Sequence, residues 1–116
     1  MKFADGSVYV GYFTANEITG KGVYTWPDLK TYTGYWKNNK MNGHGLLVWV
    51  DGKKYEGDFV NDKREGKGKF FWKDGRTYDG EWLGGKQHGK GVFTKVDGTT
   101  RSGQWQNGRN ISWDDQ

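Results

Sequence analysis

The sequence predicts an all-β protein: an elongated, single-layer antiparallel β-meander of about ten short strands, twisted or rolled, with essentially no helix. Three observations carry this expectation. First, a pattern recurs every 23 residues without insertion. Tyr9, Tyr32, Tyr55 and Tyr78 stand in phase, as do Gly11, Gly34, Gly57, Gly80 and Gly103, and Phe13, Trp36, Phe59, Trp82 and Trp105. A fixed period of roughly 20 to 50 residues marks stacked supersecondary units rather than one irregular globule. Second, within each copy aromatic and glycine residues alternate with polar ones at period two, the pattern of a half-buried strand. Third, Asp51-Gly52, Asp74-Gly75 and Asp97-Gly98 recur between the alternating stretches, where chain reversals are needed.

The elements follow in order. Phe3 is in phase with Trp26, Trp49 and Trp72, and Asp5 with Asp28, Asp51, Asp74 and Asp97, so the sequence begins inside a repeat. Residues 1–8 form a half repeat, 9–31, 32–54, 55–77 and 78–100 are full repeats, and 101–116 is a divergent C-terminal cap. A half repeat at the start implies either further repeats upstream or a first strand that pairs with another molecule, since a bare strand edge templates addition. In the first strand of each repeat, Tyr55, Gly57 and Phe59 alternate with Lys54, Glu56 and Asp58. A loop holding the second and third glycines follows. The second strand begins near Gly68 and alternates Gly68, Phe70 and Trp72 with Lys67, Lys69, Phe71 and Lys73, which puts Phe71 on the polar face. Each Asp-Gly pair reads as a two-residue turn with both residues at positive φ. Leu29 replaces the glycine after Asp28, so that turn is expected to be looser.

Glycine weakens a strand unless something packs over its backbone, and the in-phase glycines sit between rings of their own strand and beside those of the next. Rings lying across glycines would let a single sheet bury its large side chains against itself, as aromatic packing over glycine does in designed sheets. The in-phase aromatics are therefore assigned to the core and not to base stacking, which makes nucleic acid an unfavoured partner. Tyr12, Tyr35 and Phe71 point away from that face and are the candidate protein-contact aromatics.

Composition narrows the function. Only 33% of the residues are hydrophobic, 28% are charged, and 18 Lys and Arg against 14 Asp and Glu leave a net charge of +4. The 20 glycines fall largely in register, so they reflect order rather than low complexity. Without cysteine there is no disulfide framework or thiolate metal site. No apolar run approaches the roughly 18 residues of a membrane span, and the expectation is a cytoplasmic protein, with peripheral membrane or cytoskeletal attachment as finer options. His44 and His88 are not in equivalent positions and have no partner at metal-ligand spacing. Asp58 and Glu81 alternate on the polar face, the turn aspartates bond their own backbone, and Gly89 to Gly91 lacks the helix that completes a phosphate cradle. No catalytic residue, cofactor site or metal site is predicted, and the protein is read as a non-enzyme.

One charge pattern remains. Lys40, Lys63, Lys86 and Arg109 recur in the intra-repeat loops, joined by Lys21, Lys67 and Lys90, and together they define a candidate basic edge for an anionic partner, opposite the turn aspartates.

The stretch Tyr78 to Gly91 reads YDGEWLGGKQHGKG. Its Y-x-G-x-W, followed by G-K-x-H-G-x-G, resembles the membrane occupation and recognition nexus (MORN) repeat, and the resemblance covers nearly the whole chain. It implies a single-sheet fold with one hairpin per repeat. Proteins of this family include accessory segments of phosphoinositide kinases, junctional membrane proteins, a lysine methyltransferase, and scaffolds of cilia and parasite cytoskeletons. Departures are Glu17 and Thr19, Asn42 and Glu65 at the lysine and histidine places, and Arg101 at the leading tyrosine. The leading expectation is a non-catalytic scaffold that binds a protein partner or itself. Peripheral binding of acidic phospholipid through the basic edge is the alternative, and an accessory segment of a larger enzyme such as a phosphatidylinositol phosphate kinase is a third.

Overall fold

A computed structural model describes residues 2–14 and 17–114. Met1 of the half repeat, Ala15 and Asn16 of the first full repeat, and Asp115 and Gln116 of the cap lie outside the described residues. The chain runs through β1 (Val8–Thr14), β2 (Glu17–Thr25), β3 (Thr31–Lys37), β4 (Lys40–Val48), β5 (Lys54–Val60), β6 (Lys63–Phe71), β7 (Thr77–Leu83), β8 (Lys86–Thr94), β9 (Thr100–Gln106) and β10 (Arg109–Trp113). Each strand pairs antiparallel with its sequence neighbours in one ten-stranded sheet. This is the predicted meander, with extents of 53 × 24 × 18 Å, and no helix occurs among the described residues.

The period-two pattern becomes two faces. Tyr55, Gly57 and Phe59 of β5 are buried while Lys54, Glu56, Asp58 and Val60 are exposed. Tyr32, Tyr55 and Tyr78 are fully buried although no second layer among the described residues covers them. A flat sheet would leave such rings in water, so the sheet must roll around its aromatic face. The glycines permit this. Gly34 faces Gly45, Gly57 faces Gly68 and Gly80 faces Gly91 across each hairpin. A Cβ on Gly34 or Gly80 would lie 2.5 Å from the opposing glycine Cα, so no other residue fits that approach.

The turns differ from the sequence expectation. The reversals with both residues at positive φ are the intra-repeat pairs: Asn38-Asn39, Asn61-Asp62, Gly84-Gly85 and Asn107-Gly108. That is the two-residue hairpin geometry whose twist matches the strands. The expected intra-repeat loop is instead continuous strand, because β6 begins at Lys63 and absorbs Gly66 at φ 86°. Gly57 pairs with Gly68 but Phe59 pairs with Arg64, leaving Glu65, Gly66 and Lys67 opposite Asp58 alone. This three-against-one bulge bends the strand where the face must curl.

The aspartate turns are three-residue connections. Gly75 N–H donates to Trp72 O at 3.2 Å, Trp72 N–H donates to Arg76 O at 2.9 Å, and only Gly75 of the Asp-Gly pair has positive φ. Asp74 sits in the ordinary region, where its Oδ1 accepts from Arg76 N–H at 3.1 Å. The hydrogen bonds from Arg76 hold the Asp74 carboxyl below its ordinary pKa. Leu29 adopts the same conformation at φ 75°, with Leu29 N–H to Trp26 O and Lys30 N–H to Asp28 Oδ1 both at 2.9 Å. The turn expected to be looser is bonded like the others, and the leucine carries backbone strain instead.

Candidate functional site

Each core tyrosine is held at both ends. The hydroxyls of Tyr9, Tyr32, Tyr55 and Tyr78 donate to the carbonyls of Tyr12, Tyr35, Asp58 and Glu81 at 2.8, 3.0, 2.9 and 2.9 Å. Their rings lie over Gly22, Gly45, Gly68 and Gly91, where an added Cβ would collide with the ring. Phe59, Trp36, Trp82 and Trp105 stand edge-on between them, as in Tyr55–Phe59 at 5.1 Å and Tyr55–Trp82 at 5.2 Å. Trp82 Nε1–H donates to the Gly68 carbonyl at 3.0 Å. Burial pushes the phenols of Tyr32 and Tyr78 up to about 12 and raises that of Tyr55 as well. These rings are occupied by packing against one another and against the glycine backbone.

One variation lies on this face. Ile18 and Met41 are buried at the start of β2 and β4, and the third repeat puts Arg64 in their place. Asn39 and Asp62 clasp the preceding repeat, accepting from Ile18 N–H at 2.6 Å and Met41 N–H at 2.8 Å. Gly85 has no side chain to do the same. Arg64 instead sends its Nη2–H to the Gly85 carbonyl at 2.7 Å. Its guanidinium lies 4.8 Å from the Trp82 ring, 5.6 Å from Phe70 and 5.9 Å from Tyr55, and burial lowers its pKa. Sequence reasoning passed over Arg64; the series Ile18, Met41, Arg64, Gln87 at one repeat position was the available signal.

The other face carries the candidate contact aromatics. Val10, Val23, Thr33 and Leu46 form one row across β1 to β4, continued by Glu56, Lys69, Asp79 and Val92. The beginning of the row is therefore apolar and its middle charged. Tyr12 is 73% exposed, Val10 69% and Tyr35 49%, all at the apolar end. Tyr12 covers Gly20 and Tyr35 covers Gly43, the bulge glycines of their hairpins. Later repeats do this with acids: Asp58 accepts from Lys67 N–H at 3.5 Å and Glu81 from Lys90 N–H at 2.7 Å. A tyrosine cannot accept that bond with its ring, so two repeats give it up and present an aromatic surface. Phe71 lies on the same face but apart from this patch, half-buried beneath Lys54 at 4.9 Å and Lys69 at 5.1 Å.

The basic residues divide into two sets. Lys40, Lys63, Lys86 and Arg109 are exposed, each the first residue after a two-residue turn along one long edge. Lys21, Lys67 and Lys90 lie away from that edge, within β2, β6 and β8, in register with Tyr35, Glu81 and Gln104. The opposite edge is not simply acidic: Lys53 and Arg76 pair with Asp51 and Asp74 at 3.6 and 2.7 Å. His44 lies 3.8 Å from both Glu56 and Asp58 on the outer face. Among the described residues no group of three or more histidines and carboxylates could hold a metal ion.

At the C-terminal end two changes fit one another. Arg101 replaces the tyrosine that would cover a glycine, and Trp113 pairs with Gly103 where a glycine stands in earlier hairpins. With no ring above it the indole fits, 4.2 Å from the Arg101 guanidinium and 5.5 Å from Trp105.

A ribbon of hairpins with a self-packed aromatic face and a variable outer face defines a repeat protein of the open single-sheet kind, with each unit touching only its neighbours. The MORN repeat model matches residues 9–30, 32–54, 55–75 and 78–100, and the chain belongs to the MORN repeat family. No curated protein matches it.

Proposed function

We propose that this ribbon is a non-catalytic scaffold that docks a protein partner on the outer face at its N-terminal end. The observation that carries this reading is the exchange at the bulge. Tyr12 and Tyr35 forgo the hydrogen bond that Asp58 and Glu81 make and expose rings among Val10, Val23 and Leu46. Tyrosine in an apolar setting is a favoured interface anchor, combining large contact area with few rotatable bonds. The partner accordingly offers an apolar surface with polar groups at its rim, and the setting is cytoplasmic.

The natural geometry supplies its own test. Glu at residues 12 and 35 should accept the bulge hydrogen bond, so the Tyr12→Glu/Tyr35→Glu variant keeps the fold while removing the aromatic surface. Affinity capture from the source cells should retain a protein on the native chain and lose it on the folded double variant. Identical captured sets would refute the reading.

The exposed row Lys40, Lys63, Lys86 and Arg109 favours a second reading, peripheral attachment to acidic phospholipid. Basic residues at such a surface contribute about 1 kcal/mol each. Sedimentation with phosphoinositide-containing vesicles at low salt tests it. Binding abolished by Lys40→Glu, Lys63→Glu and Lys86→Glu supports attachment, and native protein left in the supernatant removes it.

A further inference from the structure

Arg64 is a cation held in an aromatic setting without an acid. Among the described residues its guanidinium forms no ion pair, and its one hydrogen bond runs to the Gly85 carbonyl. It borders a recess of about 220 Å³ with Phe70, Trp72 and Trp82 as ring walls and Gln87 and Lys86 towards the rim. Ile18 and Met41 show that this repeat position is compatible with a plain apolar side chain. A guanidinium placed there loses hydration, and its lowered pKa records that loss.

We propose that this recess is a carboxylate-binding site, in which Arg64 receives an acidic group carried on a small apolar body. Five features support that ligand. One guanidinium N–H is committed to Gly85, and the remaining donors retain the planar fork that matches a carboxylate with two parallel bonds. The ring walls of Phe70, Trp72 and Trp82 suit an apolar or aromatic body next to the charge. The volume is that of a side chain or small acid rather than a larger ligand. A single negative charge is desolvated at far smaller cost than the double charge of a phosphate, which favours carboxylate in a recess walled by rings. Lys86 at the rim, outside the ring walls, attracts the anion without having to be desolvated.

The source of the carboxylate is an acidic segment of the scaffold's protein partner. That assignment rests on the scaffold reading, whereas the site itself does not. A partner crossing from the outer face would have to pass the turn edge at Gly84-Gly85. The recess opens beside that turn, since Gly85 and Gly108 both line it.

The test uses the whole chain and small probes. Benzoate is titrated into the protein while the indole N–H resonances and the Arg64 Nε–H resonance are followed by NMR. Benzamide, benzylammonium and inorganic phosphate serve as parallel probes. Benzoate should bind with a Kd of roughly millimolar order, as expected for so few atoms, and should shift Trp82, Trp72 and Arg64 selectively. Benzamide and benzylammonium should not bind. Arg64→Met reproduces the residue at Met41, so its urea midpoint should stay near the native value while benzoate affinity falls at least about tenfold, one conventional step in the affinity scale. Arg64→Lys should recover only part of it. Equal binding of benzoate to Arg64→Met, equal binding of benzamide, or tighter binding of phosphate at the same resonances would each overturn the assignment. Benzoate binding that fails while capture still depends on Tyr12 and Tyr35 removes this site and leaves the scaffold. The reverse result removes the outer-face reading and leaves the site.

Discussion

Replacing Leu29 with glycine should stabilise the protein, although it deletes a large apolar side chain. Leu29 sits at φ 75°, where its counterparts Gly6, Gly52, Gly75 and Gly98 have φ of 96°, 98°, 101° and 90°. A residue with a Cβ in this left-handed region costs about 1–2 kcal/mol relative to its preferred backbone. Glycine returns about 0.5–1 kcal/mol of that through the greater freedom of its unfolded chain. Leu29 is 72% exposed, so little burial is lost. The net expectation for Leu29→Gly is a gain of about 0.5–1 kcal/mol, or roughly 2–5 °C in Tm for a chain of this size. Urea unfolding followed by tryptophan fluorescence measures it, and Gly75→Leu should lose a comparable amount in the same assay. A destabilised Leu29→Gly would refute the reasoning, because it would mean that the leucine contributes contacts outweighing its strain.

Gly57→Val should lower stability by about 1–3 kcal/mol or prevent folding, since its side chain would enter the space of the Gly68 backbone; an unchanged melt would count against the packing account. Alkaline pH should unfold the ribbon. The folded-state phenols lie above the ordinary value of 10.0, so their contribution is complete below that pH and is lost as pH rises through about 12 for Tyr32 and Tyr78. Tyrosinate absorbance rising together with loss of the sheet circular dichroism signal above that pH checks it. Arg64→Met should change stability by no more than about 1 kcal/mol, because relief of guanidinium desolvation offsets the lost bond to Gly85; calorimetry reads the difference.

The strand pattern was legible because it is local: alternation at period two requires only that Tyr55, Gly57 and Phe59 share a face. The 23-residue period added the stacking, since units that bury nothing alone must bury against neighbours. Turn types were misread because Asp-Gly is a strong signal for two different reversals. The competing evidence lay in Asn38-Asn39 and Asn61-Asp62, residues that tolerate the left-handed region and whose side chains clasp the preceding repeat. That clasp joins residues 21 apart and could not be read from adjacent letters. Tyr12 and Tyr35 were found on the outer face by alternation alone. Their significance came from Asp58 and Glu81, whose bonds to the bulge show what a tyrosine there gives up. Lys21, Lys67 and Lys90 were grouped with the edge because the bulged segment was read as loop, and a continuous β2, β6 and β8 carries them onto the sheet. Arg64 escaped notice because one of four arginines in a lysine-rich chain looks like solvated charge until its ring neighbours are known.

The central claim is that tyrosine rings roofing paired glycines hold this single sheet together, and Gly68→Ala tests it most directly. Gly68 has no positive φ, so backbone propensity alone predicts that alanine should stabilise the strand by about 0.5–1 kcal/mol. The added Cβ would instead meet the hydroxyl and ring of Tyr55. Measured by urea unfolding, Gly68→Ala should lose about 1–3 kcal/mol in the native background, and this loss should vanish when Tyr55 is also replaced by alanine. A stabilised Gly68→Ala in the presence of Tyr55 would contradict the account.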